Sequence, residues 1–276
     1  VTAIESRVPR WIIGTVLFVV GALMLAPLIW MIAESFTEDG KALRLPPNWI
    51  PNPFTTENYR NISGLIPFGR MALNSLIVAV IATSGSMLVS VLAAYGFSRL
   101  RFPGRDVIFL AMLGAMMIPG QMTLVPVFVL LRNLHLIDRL PALWLPALIN
   151  VFAIFFFRQY FNTIPRELDE AARIDGAGDV WILFRVILPL SGPAIAAMSI
   201  LSFEASWNSY LGPLIFISSE ENMTLPLGLT ALDMGQGGSS VIVFAAITAV
   251  VVPVLVVFLV FQRAFVASIA SVGIRG

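Results

Sequence analysis

PRELDEAARIDGAGDVWILFRVILP, residues Pro165–Pro189, is a charged, glycine-punctuated island between long apolar runs. Asn162 or Thr163 is placed to cap a helix whose first turn holds Pro165, with Glu167, Asp169 and Glu170 near its positive N-terminal end. Leu168, Ala171, Ala172 and, less regularly, Ile174 form the apolar side of that helix. Arg173 sits in its last turn, and the run Asp175, Gly176, Ala177, Gly178 breaks it. Asp179 is placed to cap a second helix, in which Val180, Trp181, Phe184 and Ile187 recur at helical spacing before Pro189 and Gly192-Pro193. The island is therefore expected to fold as helix, tight turn, helix.

Its surroundings are those of a membrane protein. Of 276 residues, 58% are hydrophobic and 12% charged, and the mean hydropathy is +0.89. A formal charge of +1 gives no reason to expect nucleic acid as a partner. Cysteine is absent, which excludes disulfides and thiolate chemistry. An initiator is expected to precede Val1. No cleavable signal is evident, because the first apolar run is long enough to span.

A hydrocarbon core of about 30 Å needs roughly 20 helical residues. Six stretches qualify, near 11–33, 73–97, 107–131, 141–162, 193–217 and 241–262. The expected fold is an all-α polytopic membrane protein with six transmembrane helices, in a single transmembrane domain over 1–276. With the N-terminus inside, Arg7, Arg10, Arg99, Arg101, Arg105, Arg158, Arg166, Arg173, Arg185, Arg263 and Arg275 fall on the cytoplasmic side. Lys41, Arg44, Arg60, Arg70, Arg132 and Arg139 fall outside. Eleven against six places both termini, and the 163–192 loop, in the cytoplasm. Trp11, Trp30 and Trp144 lie near span ends, as interfacial tryptophans do. The outer segment from Glu34 to Arg70, with Pro46, Pro47, Pro51 and Pro53, is too polar to span, and 56–60 suits a short surface helix.

The island resembles the EAA loop of ABC-importer permeases, in which Glu-Ala-Ala, two residues, Asp-Gly-Ala and an apolar helix ending in Leu-Pro follow in order. Here these are Glu170, Ala171 and Ala172, then Asp175, Gly176 and Ala177, then Leu188-Pro189. Further likenesses to the carbohydrate-uptake, maltose-type inner permeases are Ala93 to Phe97 followed by Phe102-Pro103-Gly104, and the segment Trp207, Asn208, Tyr210, Leu211, Pro213, Leu214. Thr224 to Leu229 and the tail from Phe261 to Gly276 add to them. The resemblance implies that the first short helix is a coupling helix docking on an ATPase subunit. It implies as partners a second permease subunit, an ATPase dimer holding ATP and Mg, an extracytoplasmic solute-binding protein and membrane lipid, in the plasma membrane of a prokaryote. No cofactor is expected on this chain. An amphipathic hairpin on the bilayer surface is the other reading of the island, disfavoured because its polar face is acidic.

Within the spans, the most unusual residue is Glu204. It lies eleven residues past Pro193, about 16 Å along a helix and near the bilayer middle. A carboxylate there costs about 3 kcal/mol, so lipid exposure is not expected. Trp207 and Asn208 follow at i+3 and i+4 and are expected to share its face. Together they offer a stacking surface and hydroxyl partners for a sugar. A hydrogen bond from Glu204 to a neighbouring helix or partner permease is an equal reading. Asn150, midway along the fourth span, and Gln121, after a Pro119-Gly120 kink, complete the substrate-pathway candidates. Arg158 is most simply an interface anchor. The lone imidazole, His135, makes a metal site improbable.

No catalytic residues are expected, and no phosphate-cradling Gly-x-x-x-x-Gly-Lys loop occurs, so ATP hydrolysis belongs to another polypeptide. The expected function is the transmembrane permease subunit of an ATP-driven importer for a sugar or related polyol, working by alternating access. An ion-gradient-driven secondary transporter is the alternative. It would call for inverted repeats and paired intramembrane charges, and neither is visible.

Overall fold

A computed structural model of the chain describes residues 9–41, 49–235 and 239–273, with the backbone alone at 10, 233–235, 257 and 260–273. Arg7, Arg44, Pro46, Pro47 and Arg275 therefore lie outside the described residues, as do the end of the tail and the side chains of Arg10 and Arg263. The described backbone is helical apart from turns and one isolated bridge, Thr37 to Phe54. Packing groups it into two units, Val1–Pro67 with Leu229–Val252, and Phe68–Gly228 with Pro253–Gly276.

The first unit is built on α1 (Arg10–Ser35), whose apolar side chains from Trp11 to Ile29 are largely exposed, as a lipid-facing helix requires. At its far end Trp30 Nε1 donates to Glu34 Oε1 at 3.1 Å. The expected surface helix is α2 (Glu57–Leu65), longer than 56–60 because Ile62 is buried and anchors its second turn. Asn58 ties it back to the end of α1, donating through Nδ2 to the carbonyls of Ser35 (2.9 Å) and Thr37 (2.8 Å). Phe36 stacks on Phe54 at 5.0 Å between centroids.

The second unit is organised around α3 (Phe68–Arg99). Its small buried positions Ala79, Ala82, Ser86, Ser90 and Ala94 let other helices approach closely, and packing of this kind drives helix association in lipid. The third expected span, 107–131, is not one helix. α4 (Arg105–Ala115) and α5 (Gly120–Asn133) meet at 101°. Pro119 has no N–H to give and disfavours a helical conformation at Ile118, so the chain turns rather than kinks. The fourth span, 141–162, begins with α6 (Pro141–Trp144) and a 3-10 turn at Pro146–Leu148, and continues as α7 (Val151–Asn162).

The island follows as α8 (Glu167–Ile174), α9 (Asp179–Ile182), a π-helical turn at Leu183–Ile187 and α10 (Leu188–Leu190). The fifth expected span, 193–217, is also interrupted. α11 (Gly192–Trp207) stops at Trp207, and α12 (Leu211–Phe216) restarts after a three-residue break. α13 (Leu225–Gly235) and α14 (Ser240–Gly273) complete the described chain. Among the described residues, three helices are long and apolar enough to cross a membrane, or up to five when each bent pair, α4 with α5 and Asp179–Leu190 with Gly192–Trp207 (81°), is taken as one span.

One core joins α3, α7, the island and α11. Ala94, Ala153 and Ala194 are fully buried beside Tyr95, Phe157, Phe161, Ile182, Ile187 and Met198. At the end of the unit remote from the island, Asn74 and Ser75 of α3 hold the segment leading to α13. Asn74 Nδ2 donates to the carbonyls of Glu221 and Met223 at 2.9 Å each, and Ser75 Oγ accepts from Leu225 N at 2.8 Å.

Asp138 performs the same task from the α5–α6 connection. Its Oδ1 accepts from Ser218 N (2.9 Å), Ser219 N (2.8 Å) and Ser219 Oγ (2.9 Å). These donors, the Ser219 amide first, hold its carboxyl below the ordinary carboxylate range. A depressed folded value means that the clamp is fully present above the unfolded value, about 3.9, and is lost as pH falls through the lower folded value. Hydrogen exchange should find the Ser218 and Ser219 amides protected from pH 7 down to about pH 4 and released below the folded value. Asp138→Ala should release them at every pH.

Candidate functional site

The spacing of the island's small residues has a geometric cause. Asp175 ends α8, and Gly176 takes φ +85°. Gly176 N donates to Arg173 O (3.0 Å) and Ala177 N to Ala172 O (2.9 Å), which is the paired bonding of a Schellman turn. Ala172 and Ala177 are the two residues such a turn brings together, and both pack against the core. Glu170, Ala171, Asp175 and Gly176 face outward. No described atom lies within 4 Å of a Cβ added at Gly176, so its requirement is the backbone alone. Gly176→Ala should cost about 1–2 kcal/mol, and Gly176→Asn less, measured as loss of thermal stability in detergent.

Neither Asn162 nor Thr163 caps α8. Asn162 is the last residue of α7, and the Thr163 hydroxyl bonds back to Tyr160 O at 2.7 Å. Pro165 keeps the residue before it out of the helical region, so the new helix starts only at Glu167. Asp179 spends its carboxylate on Arg173 (2.7 Å) and accepts from Tyr95 Oη at 3.5 Å. Ile174 is 87% exposed, and Val180 and Trp181 beyond the turn are also open. The hairpin thus turns large apolar side chains outward while Ala172 and Ala177 face the bundle.

What pins the hairpin was not legible as a site. Arg99, the last residue of α3, donates through Nη2 to Phe161 O (2.9 Å) and Ile164 O (2.8 Å), at the carbonyl end of α7. Its Nε lies 3.1 Å from Asp169 Oδ2, with side chains 2% and 8% exposed. That approach is a charge contact rather than an aligned hydrogen bond, and Asp169 Oδ1 has no hydrogen-bond partner among the described residues. Burial pushes the Asp169 carboxyl up, and the guanidiniums of Arg99, Arg173 and Arg166 oppose the shift. Arg166 donates to Ser98 O at 3.2 Å. Arg158, expected as a plain anchor, donates to Phe97 O (3.3 Å), lies 4.0 Å from the Phe109 ring centroid and is 3.7 Å from Asp106. Arginines at the ends of α3, α7 and α8 are therefore tied into protein carbonyls, rings and carboxylates. A cleft of about 630 Å³ lies among Arg99, Arg101, Arg166, Asp169, Arg173 and Asp179.

The substrate-pathway candidates are not gathered in one place. Asn150 caps α7, its Oδ1 accepting from Ala153 N at 3.0 Å, and it lines a cavity of about 580 Å³ between α3, α6, α7, α11 and α12. Ser86, Ser202, Ser206 and Ser209 share that lining, and the buried Ser86 and Ser202 hydroxyls have no hydrogen-bond partner among the described residues. Glu204 is exposed and accepts from Asn208 Nδ2 at 2.9 Å. Trp207 diverges from both. It is 2% exposed and stacks at 5.7 Å on Phe203, four residues earlier on α11, whereas Asn208 stays on the side of Glu204. Gln121 is exposed at the start of α5, outside the cavity lining.

Residues 86–271, from mid-α3 through the island to α14, match the family described as the inner membrane component of binding-protein-dependent transport systems. The chain belongs to that family. This permease is 34% identical to the arabinooligosaccharides transport system permease protein AraQ of Halalkalibacterium halodurans, over 98% of each chain. It is also 34% identical to the sn-glycerol-3-phosphate transport system permease protein UgpE of Yersinia pestis bv. Antiqua, over 97% of this chain and 99% of that protein. Its fold matches a chain in the crystal structure of a bacterial ABC transporter involved in the import of the acidic polysaccharide alginate. The TM-score is 0.81 at 27% identity, over 96% of this chain and 100% of that one. Permeases of this family are inner membrane components and not themselves enzymes.

Proposed function

We propose that this permease is the transmembrane subunit of an ATP-driven importer for a sugar, oligosaccharide or related polyol. In this reading the chain crosses six times with both ends in the cytoplasm, the third crossing being bent and the fifth interrupted, and 1–276 forms one transmembrane domain. The observation that carries it is the hairpin at 165–190. A short helix turns apolar and acidic side chains outward, while a buried ion pair fastens it to the ends of two long helices. A surface built in that way suits transmission of a push from a separate ATPase dimer, with Glu170, Ala171, Asp175 and Gly176 at the contact and Ala172 and Ala177 holding the turn. Closure of the ATPase on ATP then switches the cavity between inward-facing and outward-facing.

The cavity's size lies within the range of about 300–1,000 Å³ usual for ligand sites. Its unpaired serine hydroxyls and Asn150 suit a polyhydroxylated solute, in keeping with the solutes for which the relatives are named. Glu204 and Asn208 are exposed on this chain at bilayer depth, so a second permease subunit or a watered pathway must cover them, since lipid cannot do so cheaply. A solute-binding protein delivers the solute to the outer face.

The test is uptake into proteoliposomes holding the purified complex. Accumulation should require ATP on the island's side and the binding protein on the other. Accumulation driven by an ion gradient without ATP would overturn the proposal.

A further inference from the structure

Beside the coupling hairpin lies a second pocket, of about 590 Å³, that the transport cycle described above does not use. Arg101, Arg105 and Arg166 line it, against the single carboxylate of Asp106. That carboxylate is already held by Arg105, through Nε at 3.0 Å and Nη2 at 3.3 Å. Arg105 and Asp106 compensate each other, so the guanidiniums of Arg101 and Arg166 leave the pocket electropositive. Arg101 makes no hydrogen bond or ion pair with the described residues, and Arg166 spends one donor on Ser98 O. Guanidiniums held open in this way suit the fork geometry of a phosphate.

The rest of the lining is apolar and continues into the membrane surface. Phe102 and Val107 complete the wall, and Val107, Ile108 and Leu110 on the first turns of α4 are exposed. The floor is rigid, since Phe97 packs on Phe102 and Phe109, and the Arg158 guanidinium lies over Phe109. Gly104, at φ +78°, makes the tight turn that sets Arg105 at the first position of α4. Within one helical turn the surface passes from cationic to lipid-facing. A free anion has no use for that passage, whereas a molecule with an anionic phosphate head and acyl chains matches both halves.

We propose that this pocket holds the phosphate headgroup of an anionic phospholipid of the cytoplasmic leaflet, with its chains along α4. Because Arg166 also lines the cleft that holds Asp169, the bound lipid sits against the coupling hairpin. The proposal rests on the reading that loop 98–106 faces the cytoplasm.

The full complex, purified in mild detergent doped with equal phosphatidylglycerol and phosphatidylcholine, would be weighed by native mass spectrometry for retained lipid. Phosphatidylglycerol should be retained in preference. R101Q should lower its retention about fivefold, and R101Q/R166Q further, in line with the contribution of each arginine near a lipid surface. R70Q, at the opposite end of α3, should leave it unchanged. Equal retention by R101Q and the unaltered chain, or no preference between the two lipids, would overturn the proposal. So would complete displacement by millimolar inorganic phosphate, which would make this a free-anion site. The orientation is tested separately with R101C, the only thiol in a chain without cysteine. Labelling from the cytoplasmic face alone supports the reading, and labelling from the outer face alone overturns it whatever the lipid result.

Discussion

Asp169→Ala is expected to destabilise the permease by about 3 kcal/mol and to abolish coupled transport. The substitution leaves the Arg99 guanidinium buried without its counter-charge, and removing one partner of a buried pair costs about 3–5 kcal/mol. The lower end applies because Arg99 keeps two carbonyl acceptors at the end of α7. Arg99→Met with Asp169→Leu removes both charges and should regain most of the loss, as apolar replacements of buried pairs do. The pair's role in coupling separates here from its role in folding. The double variant should unfold near the unaltered chain's temperature, yet hydrolyse ATP with little uptake, because the tie between α8 and α3 is gone. Thermal unfolding of the purified complex and uptake measured on the same preparation check both statements. A single variant within about 0.5 kcal/mol of the unaltered chain, the size of an ordinary surface substitution, would show that the pair does not hold the hairpin.

Ile174→Asp is expected to leave the fold intact and release the ATPase. Ile174 is 87% exposed, so little packing within this chain is lost. With Val180 and Trp181 it flanks the Gly176 turn, where a partner would bury it. A carboxylate placed in the centre of such a contact should weaken association by about 2 kcal/mol or more, roughly thirtyfold. Co-purification at graded concentrations measures this. An unchanged ATPase yield would place the docking surface elsewhere.

The turn at Gly176 could be read before the structure, for local reasons. Gly176 and its flanking alanines are a turn written in sequence, since a left-handed residue and two small neighbours have few other uses at that spacing. The broken spans were harder. Hydropathy measures length and greasiness but not direction, so Pro119-Gly120 reads as a kink although the helices meet at 101°. Glu204 and Asn208, four apart, stay paired, but Trp207, three residues after Glu204, is buried on Phe203, and spacing alone does not say which part of a helix face its neighbours cover. Arg99 was hidden by its company. Three arginines in a nine-residue loop look alike as interfacial anchors, and only tertiary structure brings Phe161 O, Ile164 O and Asp169 to one of them.

Coupling of this permease to a separate ATPase is proposed to run through the 165–190 hairpin. Ala171 is exposed on α8 and the chain has no cysteine, so Ala171→Cys supplies a single attachment point for a short photo-cross-linker in native membranes. One dominant adduct is expected, with an ATPase subunit, its yield changing when ATP is trapped before hydrolysis. An adduct formed only with lipid, or labelling of the introduced thiol solely from the outer face, would contradict it.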